Sequence, residues 1–300
     1  MSIITSLNSL IKRKSLLYKS GVEYADYCLN HVEGCSHGCK FPCYAMMMKK
    51  RCGVIKGYED WIKPKIVENA LELLDAEIPK LKNKIKNVHL CFTTDPFMYK
   101  QKEVSELTLK IIEKLNASGI KCIVLTKGIY PKQLTNTKKY SSDNEYGITL
   151  VSLDKGFRNS YELGAAPYDC RIDAFKHLHN NGLKTWVSME PYPTPNLVSQ
   201  DLDNILERIK FVDKIVFGKL NYNVKISQFQ DNKEFYQQCS DSVVEFCKRN
   251  DIEYHIKFGT QKKDNFKTRK IFIKKEASSQ LNLYSLIAPK VNSSQHSMLG

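Results

Sequence analysis

Short apolar runs alternate with amphipathic stretches along most of the chain, and this alternation predicts repeated strand–helix units. "NVHLCFTT" has the apolar content of a strand. After it, Leu107, Ile111 and Leu115 recur at four-residue spacing, which predicts a helix over 104–118 closed by Gly119. "IKCIVLTKG" and "YGITLVSLD" read as the next two strands, separated by the polar "NTKKYSSDNE". Pro167 opens a helix that runs through His179 to Gly182, before the strand "LKTWVSMEP". A helix around 202–209 precedes "DKIVFGKLN", and one around 233–249 precedes "IEYHIKFG". The segment 61–85, largely helical and interrupted by Pro79, makes the first crossover.

Near-continuous apolar strands joined through helices indicate an α/β fold, a parallel sheet covered by helices with right-handed crossovers. Periodicity fits an open doubly wound sheet and a barrel-like sheet equally. No Gly/Ser-rich linker or internal repeat divides the chain. One core domain over 21–260 is expected, flanked by a basic N-terminal segment, 1–20, and a basic C-terminal extension, 261–300. Ligands of such folds sit at the carboxyl ends of the strands. There the sequence puts Thr94-Asp95, Thr126-Lys127-Gly128, Ser152-Leu153-Asp154, Glu190-Pro191 and Gly218.

Composition narrows the setting. Of 300 residues, 42% are hydrophobic and 26% charged, as in globular proteins. No apolar run approaches the roughly 20 residues of a membrane span, and no signal peptide is visible, so a cytoplasmic protein without membrane contact is expected. In a reducing compartment, ten cysteines suggest metal ligation or catalysis before disulfides. Cys28, Cys52, Cys91, Cys122, Cys170, Cys239 and Cys247 are scattered and read mostly as small core residues. The net charge of +14 favours a polyanionic partner, DNA or RNA, with a solvated lysine-rich surface as the alternative. Basic residues gather at 12–14, 49–51 and 257–275. The last group interleaves Phe258, Phe266 and Phe272, as a groove with stacking platforms or as an edge strand.

The remaining cysteines lie together in "GCSHGCKFPCYA", where Cys35, Cys39 and Cys43 recur at four-residue intervals. Gly34, Gly38 and Pro42 predict a loop there, since glycine costs a helix about 1 kcal/mol and interior proline about 3 kcal/mol. Two chemistries fit three thiols. His37 or Cys52 could complete a structural zinc site in a basic nucleic-acid-binding protein. Alternatively, an iron–sulfur cluster held by three cysteines leaves one iron open to an exogenous ligand. After the loop, Met46-Met47-Met48 reads as the buried start of a helix, and Trp186 as core.

"GCSHGCKFPCYA" resembles the cluster loop of radical S-adenosylmethionine (radical SAM) enzymes, in particular the spore photoproduct lyase-like branch. "CFTTDPF", "LTKG" and "ELGAAPYDCRIDAFKHLHNNGLKTWVSMEPYPTP" resemble later stretches of that branch in the same order, over roughly 25–220. The resemblance implies a partial (β/α)6 barrel, mostly parallel and curved with helices outside. It implies a 4Fe-4S cluster on Cys35, Cys39 and Cys43 that cleaves S-adenosylmethionine reductively to a hydrogen-abstracting 5′-deoxyadenosyl radical. Thr94, Asp95, Lys127, Ser152, Glu190 and Gly218 match cofactor-contacting positions. A reductant such as flavodoxin or ferredoxin is implied, with nucleic acid repair or modification as the reaction and peptide or protein modification as its rival.

Two departures stand out. Three residues separate Cys39 from Cys43 where the family usually has two, and Pro42 replaces an aromatic residue. Tyr44 keeps the tyrosine after the third cysteine. Phe92 stands at the position of the branch's hydrogen-donor cysteine, and strand alternation points the neighbouring Cys91 to the other face. Tyr44 and Cys91 are the candidate catalytic side chains.

Overall fold

The computed structural model describes residues 9–21 and 25–261. Phe266, Phe272 and the C-terminal extension after Gln261 lie outside the described residues. The chain opens with β1 (Ser9–Ile11) and β2 (Leu17–Lys19), and β3 (Tyr27–Leu29) and β4 (Val32–Glu33) lead into the cysteine loop. Then come α1 (Tyr44–Arg51), α2 (Tyr58–Trp61), β5 (Lys65–Val67) and α3 (Ala70–Leu81). Strands and helices follow as β6 (Asn87–Leu90), α4 (Lys102–Ala117), β7 (Lys121–Thr126), β8 (Glu145–Thr149), α5 (Lys155–Tyr161) and α6 (Tyr168–Asn180). The last elements are β9 (Lys184–Tyr192), α7 (Leu202–Arg208), β10 (Lys214–Lys219), α8 (Val224–Ser227), α9 (Asn232–Arg249) and β11 (Glu253–Ile256).

Eight strands form one sheet in the order β2-β3-β6-β7-β8-β9-β10-β11, parallel throughout except where β2 pairs antiparallel with β3. This is the expected α/β architecture, and the sheet is open, with β2 and β11 at its edges. Strand order follows chain order across the sheet. On α4 the buried face is Val104, Thr108, Ile111, Ile112 and Leu115, an amphipathic stripe against the sheet. One continuous core joins Ile111, Ile112 and Leu115 of this stripe to Val88, Val124, Ile148, Phe175 and Val187. Trp186 is buried as predicted.

The first crossover differs from expectation. The segment 61–85 contains β5, which joins β1 and β4 in a separate three-stranded sheet, before α3 begins. Three residues are too few for periodicity to reveal a strand. Pro79 lies inside the last turn of α3 without ending it. The short α5, capped by the Asp154 carboxylate accepting from the Phe157 N–H at 2.5 Å, also escaped the periodic reading.

Candidate active site

The loop from Gly34 to Pro42 is held from two sides. Gly34 and Gly38 have φ of +85° and +55°, where a β-carbon is disfavoured, so the loop turns twice and cannot be a helix. The Cys35 N–H donates to the Trp61 carbonyl at 2.8 Å, and Tyr58 Oη donates to the Gly38 carbonyl at 2.9 Å. The segment around and after the end of α5 forms the second wall. The Lys40 N–H donates to the Tyr161 carbonyl at 2.8 Å, and the Gly164 N–H to the His37 carbonyl at 2.9 Å. A β-carbon on Gly164 would stand 2.1 Å from the Ser36 carbonyl oxygen, so only glycine permits this approach.

The three-residue spacer has a physical role. Phe41 is buried beside Val151, Phe157, Leu220 and Ile226, with ring centroids 6.1 Å from Phe157 and 6.3 Å from Tyr161. It anchors the loop between Cys39 and Cys43 in an apolar cluster of its own. Cys43 is the N-cap residue of α1. In that helix Met46, Met47 and Met48 are only half-buried, and the buried residue is Lys49, 3.4 Å from Glu33. The expected apolar start of the helix therefore lies toward the surface, with Tyr44 exposed.

All three loop cysteines are free thiols. Burial pushes Cys35 well up, and the charges of Asp95, Cys39 and Cys43 push the same way. Burial also pushes Cys39 up to about 12, with Lys127 pulling down and Glu162 and Cys43 adding to the rise. Such thiols become thiolates only opposite strong positive charge, which a metal centre supplies. The three sulfurs thus lie within electrostatic reach of one another. Yet among the described residues no three His, Cys, Asp or Glu side chains close around a point for a single ion.

The zinc quartet fails on its fourth ligand. The Tyr99 N–H donates to His37 Nε2 at 2.9 Å, so the ring proton sits on Nδ1 and faces Asp95 Oδ2 at 3.3 Å. Both ring nitrogens are engaged. Cys52 caps the far end of the helix whose near end is Cys43, about 13 Å away at 1.5 Å per residue.

Asp95 ties the loop to the sheet. Its carboxylate accepts from the Phe97 N–H at 2.9 Å, Thr126 Oγ1 at 2.6 Å and the Lys127 N–H at 2.8 Å, besides His37. Burial pushes this carboxyl up, but His37, Thr126 and Lys127 outweigh it and hold it below the usual range. Thr94 Oγ1 donates to the Gly34 carbonyl, so both residues expected at the cofactor also hold the loop.

Lys127 is similarly engaged. Its ammonium lies 3.1 Å from Glu162 Oε1, 3.7 Å from Cys39 Sγ and 4.5 Å from the Phe41 ring centroid. Glu162 is wholly buried, and its other oxygen lies 3.4 Å from Arg171 Nη2. Burial pushes the Glu162 carboxyl up, but Lys127 and Arg171 prevail and hold it below the carboxylate range. The sequence reading singled out neither Glu162 nor Arg171 as a site residue. They lie nine positions apart in "ELGAAPYDCR", and charges so placed ordinarily mark a surface.

The other candidates separate. Ser152 is buried beside the loop's apolar cluster, its Oγ accepting from the Asp154 N–H at 3.0 Å. Glu190 and Gly218 lie together on the far side of the rim, where Lys257 Nζ approaches Glu190 at 3.8 Å. A β-carbon on Gly218 would come 3.0 Å from the Glu190 and Lys257 side chains, so this glycine also has a packing role. Cys91 lies past the end of β6 at φ +57°, buried, with Sγ 3.3 Å from His31 Nδ1. His31 in turn meets Thr108 on α4 at 2.7 Å, so Cys91 is engaged on the helix side of the sheet. Strand alternation does not govern it, because the strand has already ended.

The Radical SAM superfamily model matches residues 29–209. An uncharacterised protein of Acidianus two-tailed virus is 28% identical over 214 residues, covering 67% of this chain and 68% of the viral one. An uncharacterised protein of Methanocaldococcus jannaschii is 25% identical over 256 residues, covering 81% and 93%. In fold, the chain is similar to spore photoproduct lyase complexed with dinucleoside spore photoproduct, at a TM-score of 0.62 and 14% identity, covering 82% of this chain and 80% of the lyase. A lyase mutant with bound AdoMet and the same dinucleoside matches equally, with a TM-score of 0.62.

Proposed function

The chain belongs to the radical SAM superfamily, and on that premise we propose that Cys35, Cys39 and Cys43 hold a 4Fe-4S cluster that binds S-adenosylmethionine, in an enzyme acting on DNA or RNA. The observation that carries this reading is the loop, where three free thiols lie within electrostatic reach of one another and beside the buried Lys127 ammonium. When bound, the cluster and S-adenosylmethionine supply the one-electron cleavage that yields a 5′-deoxyadenosyl radical. The reductant is a flavodoxin- or ferredoxin-like donor.

The chain's own residues orient that chemistry. Asp95, His37 and Thr94 fix the loop against β6 and β7. Phe41 closes its far side and excludes water from Cys39. Ser152, Glu190 and Gly218 line the carboxyl ends of the later strands and, with Thr94, Asp95 and Lys127, would hold S-adenosylmethionine. Tyr44 stands exposed where the loop enters α1, at the mouth.

Support for a polyanionic substrate comes from charge and from the rim. Net charge is +14. Exposed Lys40 lies in the cysteine loop and exposed Tyr44 opens α1 after it, while exposed Lys155 follows β8 and exposed Tyr222 and Lys225 follow β10. Stacking rings beside cations suit unpaired bases and their phosphates. The test is anaerobic turnover with dithionite and S-adenosylmethionine, measuring 5′-deoxyadenosine with oligonucleotides or acidic peptides. Stimulation by DNA or RNA, weakening as salt rises, is the expected result. Stimulation by peptide alone would replace nucleic acid with peptide modification.

A further inference from the structure

Glu162, Lys127 and Arg171 form a buried charged group that meets the loop at the Cys39 sulfur and over the Phe41 ring. Arg171 is wholly buried and held by the Thr149 carbonyl and, at 2.9 Å, by the Ala166 carbonyl. The Lys127 backbone is held at both ends, its N–H on Asp95 and its carbonyl accepting from the Ala166 N–H at 3.0 Å. Fixed at their bases, these residues leave the lysine ammonium as the free end. Glu162 decides where it points. The Glu162–Lys127 contact is an ion pair short of an aligned hydrogen bond, and the ammonium also reaches Cys39 Sγ at 3.7 Å. Two cations against one carboxylate leave one positive charge uncompensated, and it is delivered to Cys39. Burying such a set is costly unless the remaining charge is met, and a ligand thiolate meets it.

We propose that Glu162 is a positioning residue that holds the Lys127 ammonium against Cys39 and thereby raises the reduction potential of the cluster. The proposal rests on the cluster reading above. A cation directed at a ligand sulfur withdraws electron density and favours the reduced state, because hydrogen bonds and net charge at the sulfurs set such potentials. Arg171 acts one step back, fixing the carboxylate.

The test is a redox titration of the reconstituted protein followed by electron paramagnetic resonance, with Lys127→Met, Glu162→Asp and their combination. Lys127→Met is expected to shift the potential negative. Glu162→Asp keeps the charge but draws the carboxylate back, and is expected to shift the potential the same way. The double variant is expected to match Lys127→Met alone, because Glu162 acts through the lysine. An unmoved potential in Glu162→Asp, or shifts that add, would overturn the inference while leaving the cluster reading intact. Failure of the wild type to take up a cluster would remove both. If Glu162→Asp does not fold, Arg171→Lys makes the same test, and an unchanged potential there counts equally against the proposal.

Discussion

The two sides of the sheet's carboxyl rim are built differently. On the β6–β7 side, the cysteine loop is held by buried charge and backbone hydrogen bonds, with Asp95 and Glu162 each bridging several groups. On the β9–β11 side, Glu190 and Lys257 pair at 3.8 Å half in solvent, and Tyr222 and Val224 stand exposed. A side that must present a reactive centre in fixed geometry is rigid. A side that meets a variable substrate is not, and exposed pairs there contribute little to stability.

Substitutions should reproduce this asymmetry, strongest on the loop side. Cys39→Ala is expected to abolish cluster uptake, measured as iron content and visible absorbance, without unfolding the domain. Phe41→Ala should cost about 3–4 kcal/mol in denaturant unfolding, because it empties the apolar cluster that anchors the spacer. Asp95→Asn should cost about 2–3 kcal/mol at neutral pH by weakening several buried hydrogen bonds. The sign of its pH dependence follows from its depressed pKa. The stability it adds is full above the ordinary Asp value of about 3.9 and is lost as pH falls through the lower folded value, so wild type and variant should converge in acid. On the other side, Lys257→Ala should cost less than about 1 kcal/mol. Tyr222→Gly should be neutral or stabilising by about 1 kcal/mol, since Tyr222 sits at φ +62°. Its effect should appear instead as weaker binding of single-stranded oligonucleotides, about tenfold. A costly Lys257→Ala or a harmless Asp95→Asn would erase the contrast.

The same asymmetry explains what the sequence disclosed. Strands such as "IKCIV" and helices such as α4 follow from periodicity because each buries one face against the sheet. The cysteine loop was legible because glycine, proline and thiols occupy fixed, close positions. The protein partners of Asp95 and Lys127 were not, because they come from segments distant in the chain. Glu162 and Arg171 stood in the family-like stretch "ELGAAPYDCR", but their pairing was not legible because a buried ion pair leaves no periodic trace. The extra spacer residue became intelligible only when Phe41 was seen beside Phe157 and Tyr161, more than a hundred positions away.

The most direct measurement is metal and iron analysis with electron paramagnetic resonance of anaerobically reconstituted wild type and single Cys35, Cys39 and Cys43 alanine variants. The account predicts about four irons per wild-type chain, a reduced-state signal that changes when S-adenosylmethionine is added, and loss of both in each variant. A colourless wild type carrying one zinc on the same cysteines would contradict it.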